Sequence, residues 1–216
     1  MSGMKIKLRI TLLFVVLFAL FTGTALAQNS AQRLLKETLH RMSAYKNFSA
    51  DLSYSMVNKQ NDIHEEKTGT IYVEGNKFRI ALMGQVIITD GKKMWTIIKD
   101  SKEVMLSTFD PNDPSTVSPT KILKEYSDYN AKFAKGSKRN NLKTLILTSK
   151  KKSTFNKVVI IIDVPKYIVK KFSLYDNDGN VFTYDIFNFK ANRKFPKGTF
   201  KYNPKDYPGY ELEDMR

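Results

Sequence analysis

No cysteine occurs among the 216 residues. That absence removes disulfide bonds, thiol nucleophiles and thiolate metal sites together, so stability has to come from packing. Histidine is scarce as well: His40 falls in a helical stretch and His64 in a charged run, and neither has metal-ligand spacing around it. With no reactive constellation, the sequence reads as a non-enzyme with no metal and no cofactor. The basic clusters Lys135, Lys138, Arg139 and Lys143, and Lys150-Lys151-Lys152, lack the interleaved aromatics of stacking modules, which argues against nucleic acid. Asp176-Asn177-Asp178-Gly179 has the look of a calcium loop, but the later bidentate glutamate is missing and turn chemistry accounts for it.

The apolar run from Ile10 to Phe21 is shorter than the roughly 20 residues a membrane-spanning helix needs. It follows Lys5, Lys7 and Arg9 and leads to Ala25-Leu26-Ala27, the layout of a secretory signal peptide. Residues 1–27 are therefore expected to be cleaved after Ala27, an uncleaved N-terminal anchor being the alternative. No cysteine follows the run, so lipidation there is excluded and the protein is expected to be soluble in the periplasm. Residues 28–216 would form one exported domain. Losing Lys5, Lys7 and Arg9 leaves 33 of the 36 basic residues against 21 acidic ones, a net charge of +12. Such a charge favours anionic lipid head groups or an acidic partner, with a merely solvated basic surface as the alternative.

Ser30 can cap a helix whose Ala31, Leu34, Leu35, Leu39, Met42 and Tyr45 fall on one stripe. The period then changes to two: Phe48, Ala50, Leu52, Tyr54 and Met56 alternate with polar residues, as in a strand with one wet face. Strand-like segments follow around 69–74, 77–83, 86–89, 94–99 and 103–109, separated by Gly75-Asn76, Gly84-Gln85 and Asp90-Gly91, which suit tight turns. The run His64-Glu65-Glu66-Lys67 reads as a solvated hairpin end. A loop with three prolines spans 110–119, and Ser118-Pro119 opens a short helix in which Ile122, Leu123 and Tyr126 share a face. Strands resume around 130–134, 142–148, 157–164, 168–175 and 181–189. About eleven strands in hairpin succession predict a mainly β fold with helices: one antiparallel meander, large enough to curl, with helices covering an open mouth.

Gly69-Thr70-Ile71-Tyr72-Val73-Glu74-Gly75-Asn76-Lys77-Phe78-Arg79-Ile80 resembles a motif of the outer-membrane lipoprotein carrier (LolA) family. The hairpin Ile87-Ile88-Thr89-Asp90-Gly91-Lys92-Lys93-Met94-Trp95 is similar to the family's Asp-Gly-Lys, apolar-Trp signature. The ending Phe200-Lys201-Tyr202-Asn203-Pro204, with acids at Glu211, Glu213 and Asp214, resembles theirs too. The resemblance implies an unclosed barrel of eleven antiparallel strands with a helical lid over an apolar cavity for acyl chains. It also implies acylated lipoproteins as cargo, an inner-membrane lipoprotein-releasing transporter, an outer-membrane acceptor, and action as a monomer. In well-known carriers a basic residue in the turn after the glycine strand latches the lid. Here that turn is Glu74-Gly75-Asn76, so the latch does not carry over.

Each methylene removed from water is worth about 0.8 kcal/mol, so a long acyl chain needs a shield to cross an aqueous space. A lid that packs into the empty cavity would compete with cargo and permit release. Alternation nominates Leu52, Tyr54, Met56, Phe78, Ile80 and Leu82 for the acyl-chain surface and Ile122, Leu123 and Tyr126 for the lid. A closed core built from the same residues is the rival arrangement. Met83, Met94 and Met105 would suit a promiscuous apolar site or a core equally, and Trp95 reads as a fold anchor. A lipid or lipopeptide sensor on the same fold, without transfer, is the alternative function.

Overall fold

The computed structural model describes residues 30–113, 119, 125–126, 129–136, 141–149 and 155–216. Helix α1 covers residues 30–43. Twelve strands follow: β1 (Asn47–Asn58), β2 (Ile63–Glu74), β3 (Lys77–Leu82), β4 (Gln85–Thr89), β5 (Lys93–Ile98), β6 (Glu103–Thr108), β7 (Asn130–Phe133), β8 (Leu142–Thr148), β9 (Phe155–Asp163), β10 (Ile168–Asp176), β11 (Asn180–Ala191) and β12 (Glu211–Asp214). All belong to one sheet, in the order β12-β6-β5-β4-β3-β2-β1-β11-β10-β9-β8-β7. The first and last strands of that order do not pair, so the barrel is unclosed. The eleven antiparallel strands expected from the sequence are present, joined by β12, which runs parallel to β6.

β1 is the spine, pairing with β2 along all twelve of its residues and with β11 on its other side. This corrects the reading of His64–Lys67 as a hairpin end. Those residues belong to β2, because the long edge of β1 offers backbone partners as far as Asn58 opposite Ile63. They are exposed, which is why no apolar alternation marked them. Gly75, at φ 58°, takes the positive-φ place in the β2–β3 turn that favours glycine. Gly69 serves a different need: a Cβ there would stand 2.2 Å from the Ala81 carbonyl oxygen, so only glycine lets β3 approach β2 this closely.

The cross-strand registers divide the sheet into two faces. On the inner face, Leu52, Tyr54 and Met56 continue into Ile186, Tyr184 and Phe182 on β11, then Phe172 and Leu174 on β10, Ile160 and Val158 on β9, and Leu145 and Leu147 on β8. α1 lies on this part. Its Ala31, Leu35, Leu39 and Met42 form one buried cluster with Leu145, Leu147, Val158, Ile160 and Ile162. Arg33, Lys36, His40 and Arg41 face away and are exposed, the amphipathic division a docked helix requires. The Gln32 side chain fixes the helix end-on, donating to the Tyr129 carbonyl (2.9 Å) and accepting from the Ala131 N–H (2.8 Å). Near the other end of the helix, the Arg41 guanidinium sits 4.0 Å over the Tyr167 ring.

The outer face of β4–β6 carries its own buried cluster of Val86, Ile88, Ile97 and Val104. The C-terminal tail covers it with aromatic rings, Tyr202 against Trp95 and Tyr207 against Tyr202, while Phe195 packs on Tyr72 of β2. Arg79 also points this way, its Nη2 donating to the Tyr207 hydroxyl at 3.4 Å.

Candidate functional site

The registers place Leu52, Tyr54, Met56, Phe78, Ile80 and Leu82 together on the inner face. Phe48, Val73 and Phe78 form one cross-strand row; Ala50, Ile71, Ile80 and Ile87 form the next; Leu52 and Gly69 begin the third, with Leu82 beside them. The arrangement is asymmetric. Under α1, on β8 and β9, Leu145, Leu147, Val158, Ile160 and Ile162 are at most 1% exposed. On β2–β6 the inward residues Ile71, Ile80, Leu82, Ile87, Met94, Ile98 and Met105 are only half-buried, and no α1 side chain belongs to their cluster. A strip of aliphatic and thioether side chains thus lies beside the docked helix.

One end of the strip is stoppered. Phe48, Val73, Phe78 and Phe109 are 3–8% exposed, with Phe109 edge-on to Phe78 at 5.7 Å and Phe189 stacked on Phe48 at 5.5 Å. At the other end the register continues from Leu52 to Tyr54, Met56 and the buried Asn58. Asn58 is tied into the neighbouring turn through the Asp178 carbonyl and the Asn180 side chain. There Asp176 Oδ1 accepts the N–H groups of Asp178 and Asn180, and Oδ2 accepts from the Asn180 side chain, so this carboxylate builds a turn.

Of the lid candidates, Tyr126 is buried and packs on Phe172 and Tyr129, both at 4.9 Å between ring centroids. Ile122 and Leu123 lie outside the described residues. Met94 and Met105 face inward, Met83 sits exposed in the β3–β4 turn, and Trp95 faces outward against the tail. Burial pushes the phenols of Tyr54, Tyr126 and Tyr184 above the ordinary tyrosine value. Glu65 adds to the effect at Tyr54, Tyr129, Glu125 and Tyr184 at Tyr126, and Tyr54 at Tyr184. The phenols therefore stay protonated and able to donate hydrogen bonds at neutral pH.

Sequence reasoning missed the β11 contribution. Tyr184, Phe182 and Ile186 oppose Tyr54, Met56 and Leu52 across a pairing that spans about 130 residues of chain, and no local signal announces it. It also missed two lysine-rimmed clefts beside the 194–201 loop. One, of about 570 Å³, is walled by the β2–β3 and β4–β5 turns and the 194–201 loop, with Lys77, Lys92, Lys194 and Lys201 around it. The other, of about 390 Å³, adjoins it at Asn47 and Lys194 and adds Lys46 and Arg193. Both acids of the larger cleft are engaged: Glu74 with Lys77 at 3.2 Å, and Asp90 with the N–H groups of Lys92 and Lys93. The apolar strip is the candidate site for acyl chains, because its inward side chains are aliphatic and thioether groups on adjacent strands, whereas the clefts are rimmed by lysines.

Comparison with known proteins places these features in context. The family model described as outer membrane lipoprotein carrier protein LolA matches residues 43–203. An outer-membrane lipoprotein carrier protein from Nitrosospira multiformis is 26% identical over 194 residues, covering 87% of this chain and 90% of that protein. Its counterpart from Legionella pneumophila (strain Lens) is 23% identical over 198 residues, covering 89% and 94%. Among solved structures, an uncharacterized conserved protein from Thermus thermophilus superposes with a TM-score of 0.55 at 15% identity, covering 86% of this chain and 99% of that one. That likeness concerns the fold alone.

Proposed function

The chain belongs to the outer membrane lipoprotein carrier (LolA) family, and on that footing we propose that it is a periplasmic carrier that shields the acyl chains of lipoproteins between the inner and outer membranes. The supporting observation is the asymmetry of the inner face: a half-buried apolar strip on β2–β6 shares the sheet with β8 and β9, whose inner face is fully buried under α1. A long acyl chain entering the strip would shed water-exposed surface worth about 0.8 kcal/mol per methylene. The strip would be a shared surface, occupied by cargo in one state and closed over by lid side chains in the other.

In this reading residues 1–27 are removed, the mature chain starts at Gln28, and residues 28–216 act as a monomeric domain. Cargo would be received from an inner-membrane releasing transporter and passed to an outer-membrane acceptor. The lysine-lined clefts support contact with anionic membrane surfaces, which salt would weaken. Extraction tests the function directly. Mature protein added to membranes carrying a lipoprotein and an active releasing transporter should bring that lipoprotein into the soluble fraction. Binding of acyl ligands without extraction would overturn the carrier reading in favour of a sensor.

A further inference from the structure

We propose that the hydroxyls of Tyr54 and Tyr184, with Tyr126 beside them, form a hydrogen-bonding subsite for the ester carbonyls at the head of a bound acyl chain. The proposal rests on the reading of the inner face as an acyl site and adds to it a chemical preference: ester-linked chains over hydrocarbon of equal length.

Tyr54 and Tyr184 stand opposite one another on β1 and β11, with ring centroids 5.3 Å apart. Tyr184 is in turn opposite Phe172, against which Tyr126 packs. The neighbouring rows, Leu52 with Ile186 and Met56 with Phe182, are entirely apolar. A single row of phenols therefore interrupts a hydrocarbon surface. Phenylalanine would pack as well, so the oxygens call for a separate explanation.

Buried tyrosine hydroxyls ordinarily find a partner. These three find none among the described residues, whereas the Tyr207 hydroxyl on the outer face is met by Arg79 and the Ser173 and Thr183 hydroxyls meet each other at 3.1 Å. Among the described residues only Thr38 Oγ1 is a fully enclosed side-chain polar atom without a partner. The phenol oxygens, unpartnered among the described residues and not fully enclosed, therefore keep some accessible surface although Tyr54 and Tyr126 are only 4% and 9% exposed overall. The rings are held in the protein and the oxygens are presented to whatever occupies the inner face.

The ligand group that fits is a neutral acceptor. Protonated phenols donate, and the acids that act on them, Glu65 at Tyr54 and Glu125 at Tyr126, disfavour an anionic ligand group, which leaves an uncharged carbonyl as the fitting acceptor. Position fits as well. From the stoppered row at Phe48 to Tyr54 is six residues of strand, roughly 20 Å, on the order of the length of an extended fatty acyl chain. A chain with its methyl end against Phe48 and Phe78 would place its ester at the phenols.

The test compares dipalmitoylglycerol with the matching dihexadecylglycerol diether as displacers of a fluorescent acyl probe from the mature protein. Wild type should bind the diester roughly five- to tenfold more tightly, as one net hydrogen bond predicts. Tyr54→Phe and Tyr184→Phe should each reduce that ratio, and the double variant should bring it to one, with the thermal midpoint of the ligand-free protein no lower than wild type. Equal wild-type affinities for the two lipids, or a ratio untouched in the double variant, would overturn the subsite while leaving the acyl site standing. Failure of both lipids to displace the probe would overturn the acyl reading and the subsite with it.

Discussion

Thr38 offers a direct measure of how α1 is poised. It lies on the sheet-facing side of the helix between Leu35 and Leu39, is 0% exposed, and its Oγ1 has no hydrogen-bond partner. Leaving a buried hydroxyl unsatisfied costs about 1–3 kcal/mol. Thr38→Val keeps the shape of the side chain and removes the hydroxyl, and the two residues have nearly equal helix propensity. The docked helix should therefore gain about 1–3 kcal/mol. At about 2–4 °C per kcal/mol for a chain of this size, the thermal midpoint should rise by roughly 2–12 °C.

The same number reappears in function if cargo must displace α1 from the inner face. Stabilising the docked state by about 1–3 kcal/mol then lowers acyl-ligand affinity by roughly 5- to 150-fold. Scanning calorimetry and probe displacement on the same preparation read both quantities. A midpoint that fails to rise would refute the account of Thr38 as an orphaned hydroxyl. A raised midpoint with unchanged affinity would refute α1 as a competitor for the cargo surface.

Ile80→Glu should leave the thermal midpoint within a few degrees of wild type and abolish acyl binding, because Ile80 sits on the half-buried strip where a carboxylate can hydrate; an unfolded or aggregated variant would instead favour a closed core. Gly69→Val should lower the midpoint by several degrees and loosen amide-exchange protection across β2 and β3, since its Cβ would collide with the Ala81 carbonyl oxygen; an unperturbed variant would contradict the close approach. Trp95 emission should stay constant through a saturating acyl-ligand titration, because the indole stacks on Tyr202 at 6.0 Å on the outer face; a ligand-dependent spectral shift would place cargo on the wrong side of the sheet.

The sequence made the inner-face rows of β1 and β3 legible because alternation survives wherever one face is wet. It also made the turns legible: Gly75, Gly84 and Gly91 all adopt positive φ where glycine was expected to turn the chain. The start of β2 was illegible for a physical reason. Ile63 to Thr68 is exposed, and its strand state is imposed by the backbone groups of β1 rather than by its own side chains. β12 gave no periodic signal either, being exposed along its length and held by parallel pairing to β6. On β4 and β5 the pairs Ile87-Ile88, Met94-Trp95 and Ile97-Ile98 are apolar on both faces, so alternation alone could not assign an inside. The phenol row was half visible: Tyr54 stood out as an inward residue, but its partner Tyr184 is supplied by register.

Two-sided burial also shows how the strip can remain available without endangering the fold. β3–β6 would be poorly anchored if their inner face were their only apolar contact, because that face is half-buried and lies beyond the α1 cluster. Their outer face supplies the missing anchor: Ile88, Ile97 and Val104 are 0% exposed beneath the aromatic tail. A fully buried aliphatic side chain contributes about 1.5–3 kcal/mol, so these three alone represent several kcal/mol that do not depend on the occupancy of the inner face. α1 performs the same service for β7–β10 from the inside. The sheet is thus fastened on opposite faces in its two halves, and among the described residues the inner face of β2–β6 is left as an apolar surface whose partner can change while the outer fastening holds.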